Sequence, residues 1–179
     1  MKTILAAAFC ASLSLAPAQS ASAHEFTIRG DHRIGSFAVK EDGTLGGAIQ
    51  AFGRPGDKHR NGSSCTVRWG RHGLKILFYN LGGENPCSPD HGFFARARMQ
   101  GPHWQTNRGL EIGDRRRKLR NLYPNARYHA ANPGFWPAGW WLVPRSSPFG
   151  SGGSYPGLLA RMAERRVSQF HVRHPAGGD

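Results

Sequence analysis

The chain has 179 residues, 39% of them apolar and 20% charged, and its 24 Lys and Arg against 11 Asp and Glu give a formal charge of +13. That length holds one ordinary domain or two small ones sharing a core. The charge favours anionic partners such as lipopolysaccharide, teichoic acid, phospholipid head groups or acidic polysaccharide, with nucleic acid the least expected of them.

Residues 1–23 read as a secretory leader. Lys2 supplies the positive end, Ile4 to Leu15 form an apolar core too short to span a bilayer, and Ala21-Ser22-Ala23 gives the small-x-small cleavage pattern. Ala16-Pro17-Ala18 is a second possible cleavage site. Phe9 stands where a lipobox before Cys10 needs a small residue, so no lipid anchor is expected. These features predict a secreted or periplasmic protein whose mature chain starts at His24. Nothing after the leader reaches the length of a transmembrane span. Cys65 and Cys87 then remain as a pair, expected to form a disulfide in an oxidising compartment. Two thiols without well-spaced histidines do not make a zinc site.

Taken in chain order, an opening strand is expected at Phe26 to Ile28 or Ile34 to Val39. Asp42, Gly43 and Thr44 lead into a short helix. Thr44 suits its N-cap, while Leu45, Ala48, Ile49 and Phe52 fall at i, i+3, i+4 and i+7. Gly53 and Pro55 stop it. Strand-like runs follow at Thr66 to Trp69, Leu74 to Leu81 and Phe93 to Met99. About seventy residues after the first helix, the arrangement recurs. Asp114 is the expected cap, Leu119, Leu122 and Tyr123 the apolar stripe, and Pro124 the stop. Strands are then expected at Trp140 to Val143, Leu158 to Met162 and Val167 to Val172, with Glu164-Arg165-Arg166 turning the last hairpin. The expected fold is therefore α+β, with two tandem repeats, each a short helix followed by a three-stranded antiparallel meander. Repeat one spans 24–106 and holds the disulfide; repeat two spans 107–179 and carries a Pro/Gly/Ser-rich loop at 144–157.

The run Gly109-Leu-Glu-Ile-Gly-Asp114, with Leu119 and Leu122-Tyr-Pro, resembles the helix motif of small exported α+β modules. These are the SmpA/BamE-type outer-membrane lipoproteins and, as tandem copies, the β-lactamase inhibitory proteins. Asp42-Gly-Thr-Leu-Gly-Gly-Ala48, Cys65-Thr-Val-Arg-Trp69 and Trp104-Gln-Thr-Asn-Arg-Gly-Leu110 extend a pattern that is similar to secreted proteins of high-GC bacteria. The resemblance covers most of 26–173 and implies the tandem fold. Its motifs are caps, core positions and turns, so it transfers no binding residue. The missing lipobox sets this chain apart from the lipoproteins, and its basic charge from inhibitors that dock through acidic and aromatic groups.

Catalytic motifs are absent from the expected mature chain: there is no Gly-x-Ser-x-Gly, no His-Glu-x-x-His, no phosphate-cradling Gly-x-x-x-x-Gly-Lys and no reactive thiol beyond the pair. The acids fall in turns and caps. His59, His72, His91, His103 and His129 sit in expected loops, and His171 and His174, three apart on a strand, face opposite sides.

Two features are candidates for binding. Arg115, Arg116, Arg117, Lys118 and Arg120 cover the outward face of the second helix, although its positive dipole end disfavours them. Trp136, Trp140 and Trp141 cluster near Arg145. Trp140 and Trp141 face opposite sides of their strand, so one of them either packs between repeats or offers a stacking platform for a sugar or protein partner. The resulting expectation is an exported, non-enzymatic binding protein for an anionic envelope polymer or another exported protein, without cofactor. The alternative is an exported copper protein or enzyme in which the His24 imidazole and amine form a histidine brace.

Overall fold

The computed structural model describes residues 26–40, 43–147 and 153–174. The leader, His24, Asp42 and residues 148–152 of the expected loop lie outside the described residues.

Two antiparallel runs of strands make one large sheet. The first comprises β4 (Asp57–Asn61), β5 (Ser64–Trp69), β6 (Leu74–Tyr79) and β7 (Phe93–Met99). The second comprises β9 (Arg127–His129), β10 (Gly139–Ser146), β11 (Ser154–Ala163) and β12 (Arg166–Arg173). Their order is β4-β5-β6-β7-β12-β11-β10-β9. The seam is the β7–β12 pair, with His171 opposite Arg98 and Arg173 opposite Arg96. A smaller four-stranded sheet, ordered β3-β2-β1-β8, gathers β1 (Thr27–Arg29), β2 (Arg33–Ile34), β3 (Phe37–Ala38) and β8 (Gln105–Thr106). The two helices are α1 (Leu45–Phe52) and α2 (Arg116–Leu122).

This overturns the expected α+β fold of two helix-plus-three-stranded-meander repeats. The described chain is mostly β, and the strands do not form two separate meanders. The physical reason is edge satisfaction: a lone meander leaves unpaired N–H and C=O groups along its outer strands. Here β7 and β12 supply each other's partners. Three strands escaped the sequence reading, β4, β8 and β9, and the single opening strand is three short ones. Part of the loop assigned to 144–157 is strand as well, since Pro144 pairs with Pro156 and Ser146 with Ser154.

Alternation builds the core. In β6, Leu74, Ile76 and Phe78 are buried on one face, and Lys75, Leu77 and Tyr79 lie on the other. Val67, Ala97, Val172 and Leu158 continue the buried face across the sheet. Phe52 of α1 reaches Trp69 and Phe37, tying helix, large sheet and small sheet together at ring-centroid distances of 5.6 and 6.1 Å. Thr44 caps α1, accepting from the Gly47 N–H at 3.1 Å. Gly73 turns β5 into β6 at φ 57°, where a β-carbon would collide with the backbone of Gly101.

Asp114 does not cap α2; that position belongs to Arg115, whose side chain makes no capping bond. Backbone bonds from Gly113 and Val167 pin residues 113–114 to β12, so the helix starts one residue late. The Asp114 carboxylate instead accepts the Glu111 N–H at 2.7 Å and pairs with Lys118 at 2.8 Å.

Cys65 and Cys87 form the disulfide, joining β5 to the loop that passes over α1's N-terminal end. This bond fits an extracellular or periplasmic setting. Among the described residues, no helix is long and apolar enough to cross a membrane.

Candidate cationic cleft on the sheet

The face of the large sheet opposite the core holds the candidate site. Side chains at paired positions share a face, so the register across the strands reads Arg127, Trp141, Leu159, His171, Arg98 and Lys75, ending at Arg68 and Asp57. The neighbouring line brings Arg173, Arg96, Leu77 and Thr66 together. The loop between β9 and β10 folds over this face. Arg173 holds it there, donating from Nη1 to the Phe135 carbonyl at 2.7 Å and lying over the rings of Phe135 and Trp136. Trp136 meets Trp141 edge-on at 5.5 Å. Between loop and sheet lies a cleft of about 300 Å³.

Five cations line this cleft: Lys75, Arg96, Arg98, Arg161 and Arg173. Among the described residues no carboxylate lies within ion-pair distance of any of them. Asp57, on edge strand β4, sits 4.0 Å from Arg68 outside the cleft. Mutual repulsion is visible in the proton affinities. Burial lowers the Lys75 pKa, and Arg98, Arg68 and Arg96 lower it further. Burial and Arg96 likewise lower that of Arg173. His171 is the extreme case: burial, then Arg161, Arg98 and Arg96, push its pKa down to about 3, so it lines the cleft as a neutral imidazole. Its Nε2 sits 3.1 Å from Gln169 Oε1. Among the described residues, two donors on this face are buried without a partner, Arg98 Nε and Trp141 Nε1. Such an array can do one thing well, which is to accept negative charge.

The sequence-predicted residues are distributed differently. Arg115, Arg116, Arg117 and Arg120 are exposed on α2, away from the cleft. Lys118 is tied to Asp114, which raises its pKa through their hydrogen bond. Arg116 lies 4.9 Å over the Trp140 ring on the helix-covered side of the sheet. Trp141 is on the opposite face, 7% exposed and stacked on His129 at 3.8 Å, which leaves no open platform. Trp136 does line the cleft. Arg145 does not: its Nε and Nη2 clasp the buried Asp31 carboxylate at 2.8 and 2.6 Å, clamping β10 to the small sheet. Burial alone would raise the Asp31 pKa, but the Arg145 bonds hold it below the ordinary value.

Sequence reasoning missed Lys75, Arg96, Arg98, Arg161, His171 and Arg173. The signal was the two-residue spacing of Arg96 and Arg98, and of His171 and Arg173, which puts each pair on one strand face. Among the described residues, no group of three or more His, Cys, Asp or Glu could hold a metal ion. No protein-family model, curated protein or solved structure matches the chain.

Proposed function

We propose that the protein is an exported, non-enzymatic binding protein whose sheet cleft holds an anionic ligand, such as an acidic group of a cell-envelope polymer or of another exported protein. One observation carries this reading: five cations converge on a cleft where, among the described residues, no carboxylate lies close enough to neutralise them. Folding gathers like charges at a cost in repulsion, and an anion reverses that cost. Arg145, by contrast, clamps two elements together and has its charge matched by the Asp31 carboxylate. The α2 arginines are a second basic surface, but they are solvated and spread over a helix, where single contacts are weak.

The test is fluorescence-anisotropy titration of a labelled heparin fragment, at fixed salt, against three proteins. Arg96→Gln with Arg98→Gln is expected to weaken binding by about tenfold or more, since two charge-assisted contacts are lost. Arg115→Gln with Arg117→Gln is expected to change it by less than about threefold. The opposite ranking would transfer the site to α2.

A further inference from the structure

The cleft is polarised across the seam of the sheet. On the β5–β7 side its lining holds three cations, Lys75, Arg96 and Arg98, together with Thr66, Leu77 and Ala97. On the other side, β11 and the covering loop present Leu159, Pro156, Trp136 and Pro137. Strand β12 runs between, lining the cleft with His171, Val172 and Arg173, and its two polar residues there blur neither half. His171 is neutral, and Arg173 is engaged by the Phe135 carbonyl and by two aromatic rings. Arg161 is the one cation on the apolar side among the described residues that line the cleft. A purely ionic ligand, such as a sulfate group, would use only half of this space and leave the leucine–proline–tryptophan wall wet.

We infer that the ligand is an amphipathic organic anion, an acidic group borne on an apolar ring, with the acid at Lys75, Arg96 and Arg98 and the ring against Leu159, Pro156 and Trp136. The inference rests on the reading of the cleft as an anion site and adds the chemistry of the other half of the ligand. Size agrees with it. About 300 Å³ is the share of roughly ten waters, at the small end of ligand cavities, and suits one or two fused rings with an acid group. The guanidinium of Arg98, whose Nε is buried and unpartnered, offers the planar fork that carboxylate, sulfonate and phosphonate accept in a bidentate manner. The ring supplies the apolar burial, and Trp136, already edge-on to Trp141, gives it an aromatic neighbour.

Calorimetric titration at fixed ionic strength separates the two halves, with 2-naphthalenesulfonate, inorganic sulfate and neutral 2-naphthol as probes. The expected result is one-to-one binding of naphthalenesulfonate at least about tenfold tighter than either of the other two. Arg98→Met should abolish the advantage over 2-naphthol. Trp136→Ala should remove the advantage over sulfate while leaving sulfate binding unchanged. Because Trp136 helps hold the loop, a second readout on the unaltered protein stands beside that variant: nuclear Overhauser contacts from naphthalene protons to the Trp136 indole. Equal affinity for naphthalenesulfonate and sulfate, both lost in Arg98→Met, would overturn the ring while leaving the anion site in place. Binding indifferent to Arg98 would overturn both.

Discussion

His171 condenses the electrostatics of the cleft into one titratable group. Burial first, and then Arg161 on β11 and Arg98 and Arg96 on β7, push its pKa down to about 3. A histidine depressed in the folded state costs stability as pH falls, because the unfolded chain takes up a proton that the folded chain refuses. The loss begins below the ordinary value near 6.5 and continues down to about 3, at no more than about 1.4 kcal/mol per pH unit. His171→Gln should therefore flatten the decline in stability between about pH 6.5 and 5, read by urea unfolding at several pH values. Identical slopes in the two proteins would mean that neither burial nor the neighbouring arginines depress the His171 pKa. Arg145 plays a contrasting part. Arg145→Ala strands the buried Asp31 carboxylate and should cost about 2–3 kcal/mol, less than for a fully buried pair because Arg145 is half exposed. Asp31 has a lowered pKa, so the pair's contribution is present above the unfolded carboxylate value and lost as pH falls through the folded one. The variant should bind heparin as tightly as the unaltered protein, since Arg145 lies outside the cleft.

At the scale of elements, the β11–β12 hairpin turns through Glu164 and Arg165, both in the left-handed region at φ 49° and 61°. Two-residue hairpins of this hand favour Asn-Gly, and each poorly suited residue is strained by about 1 kcal/mol. Glu164→Asn with Arg165→Gly should raise the urea midpoint by the equivalent of about 1–2 kcal/mol at unchanged m-value. A lower midpoint would show that the Glu164 and Arg165 side chains contribute more than their backbone costs. The hairpin's position was readable from the charged triplet between two apolar runs. So was α1, because Thr44, the 3.6-residue apolar spacing and Gly53 agree with one another. The strands that escaped were those without the alternation that marks burial. Every residue of β4 is exposed, and β9 buries none. β1, β2, β3 and β8 are two or three residues long and exist only through their tertiary pairing.

The whole molecule explains why the cleft was less legible than the helices. Arg96 and Arg98 could be set on one face from their own strand, but their meeting with His171 and Arg173 requires the β7–β12 seam, more than seventy residues apart in the chain. Nothing local marks that pairing. The α2 arginines form a continuous run and so drew attention, whereas the cleft cations are scattered over four strands. Gathering them there adds self-repulsion to a chain already at +13, so the site and the stability of the empty protein oppose each other. The most direct test is the thermal midpoint of the unaltered protein and of the Arg96→Gln/Arg98→Gln variant, each with and without tripolyphosphate at matched ionic strength. The variant is expected to start higher and gain little, while the unaltered protein starts lower and rises with tripolyphosphate. A variant that melts lower than the unaltered protein and gains as much from the anion would contradict that expectation.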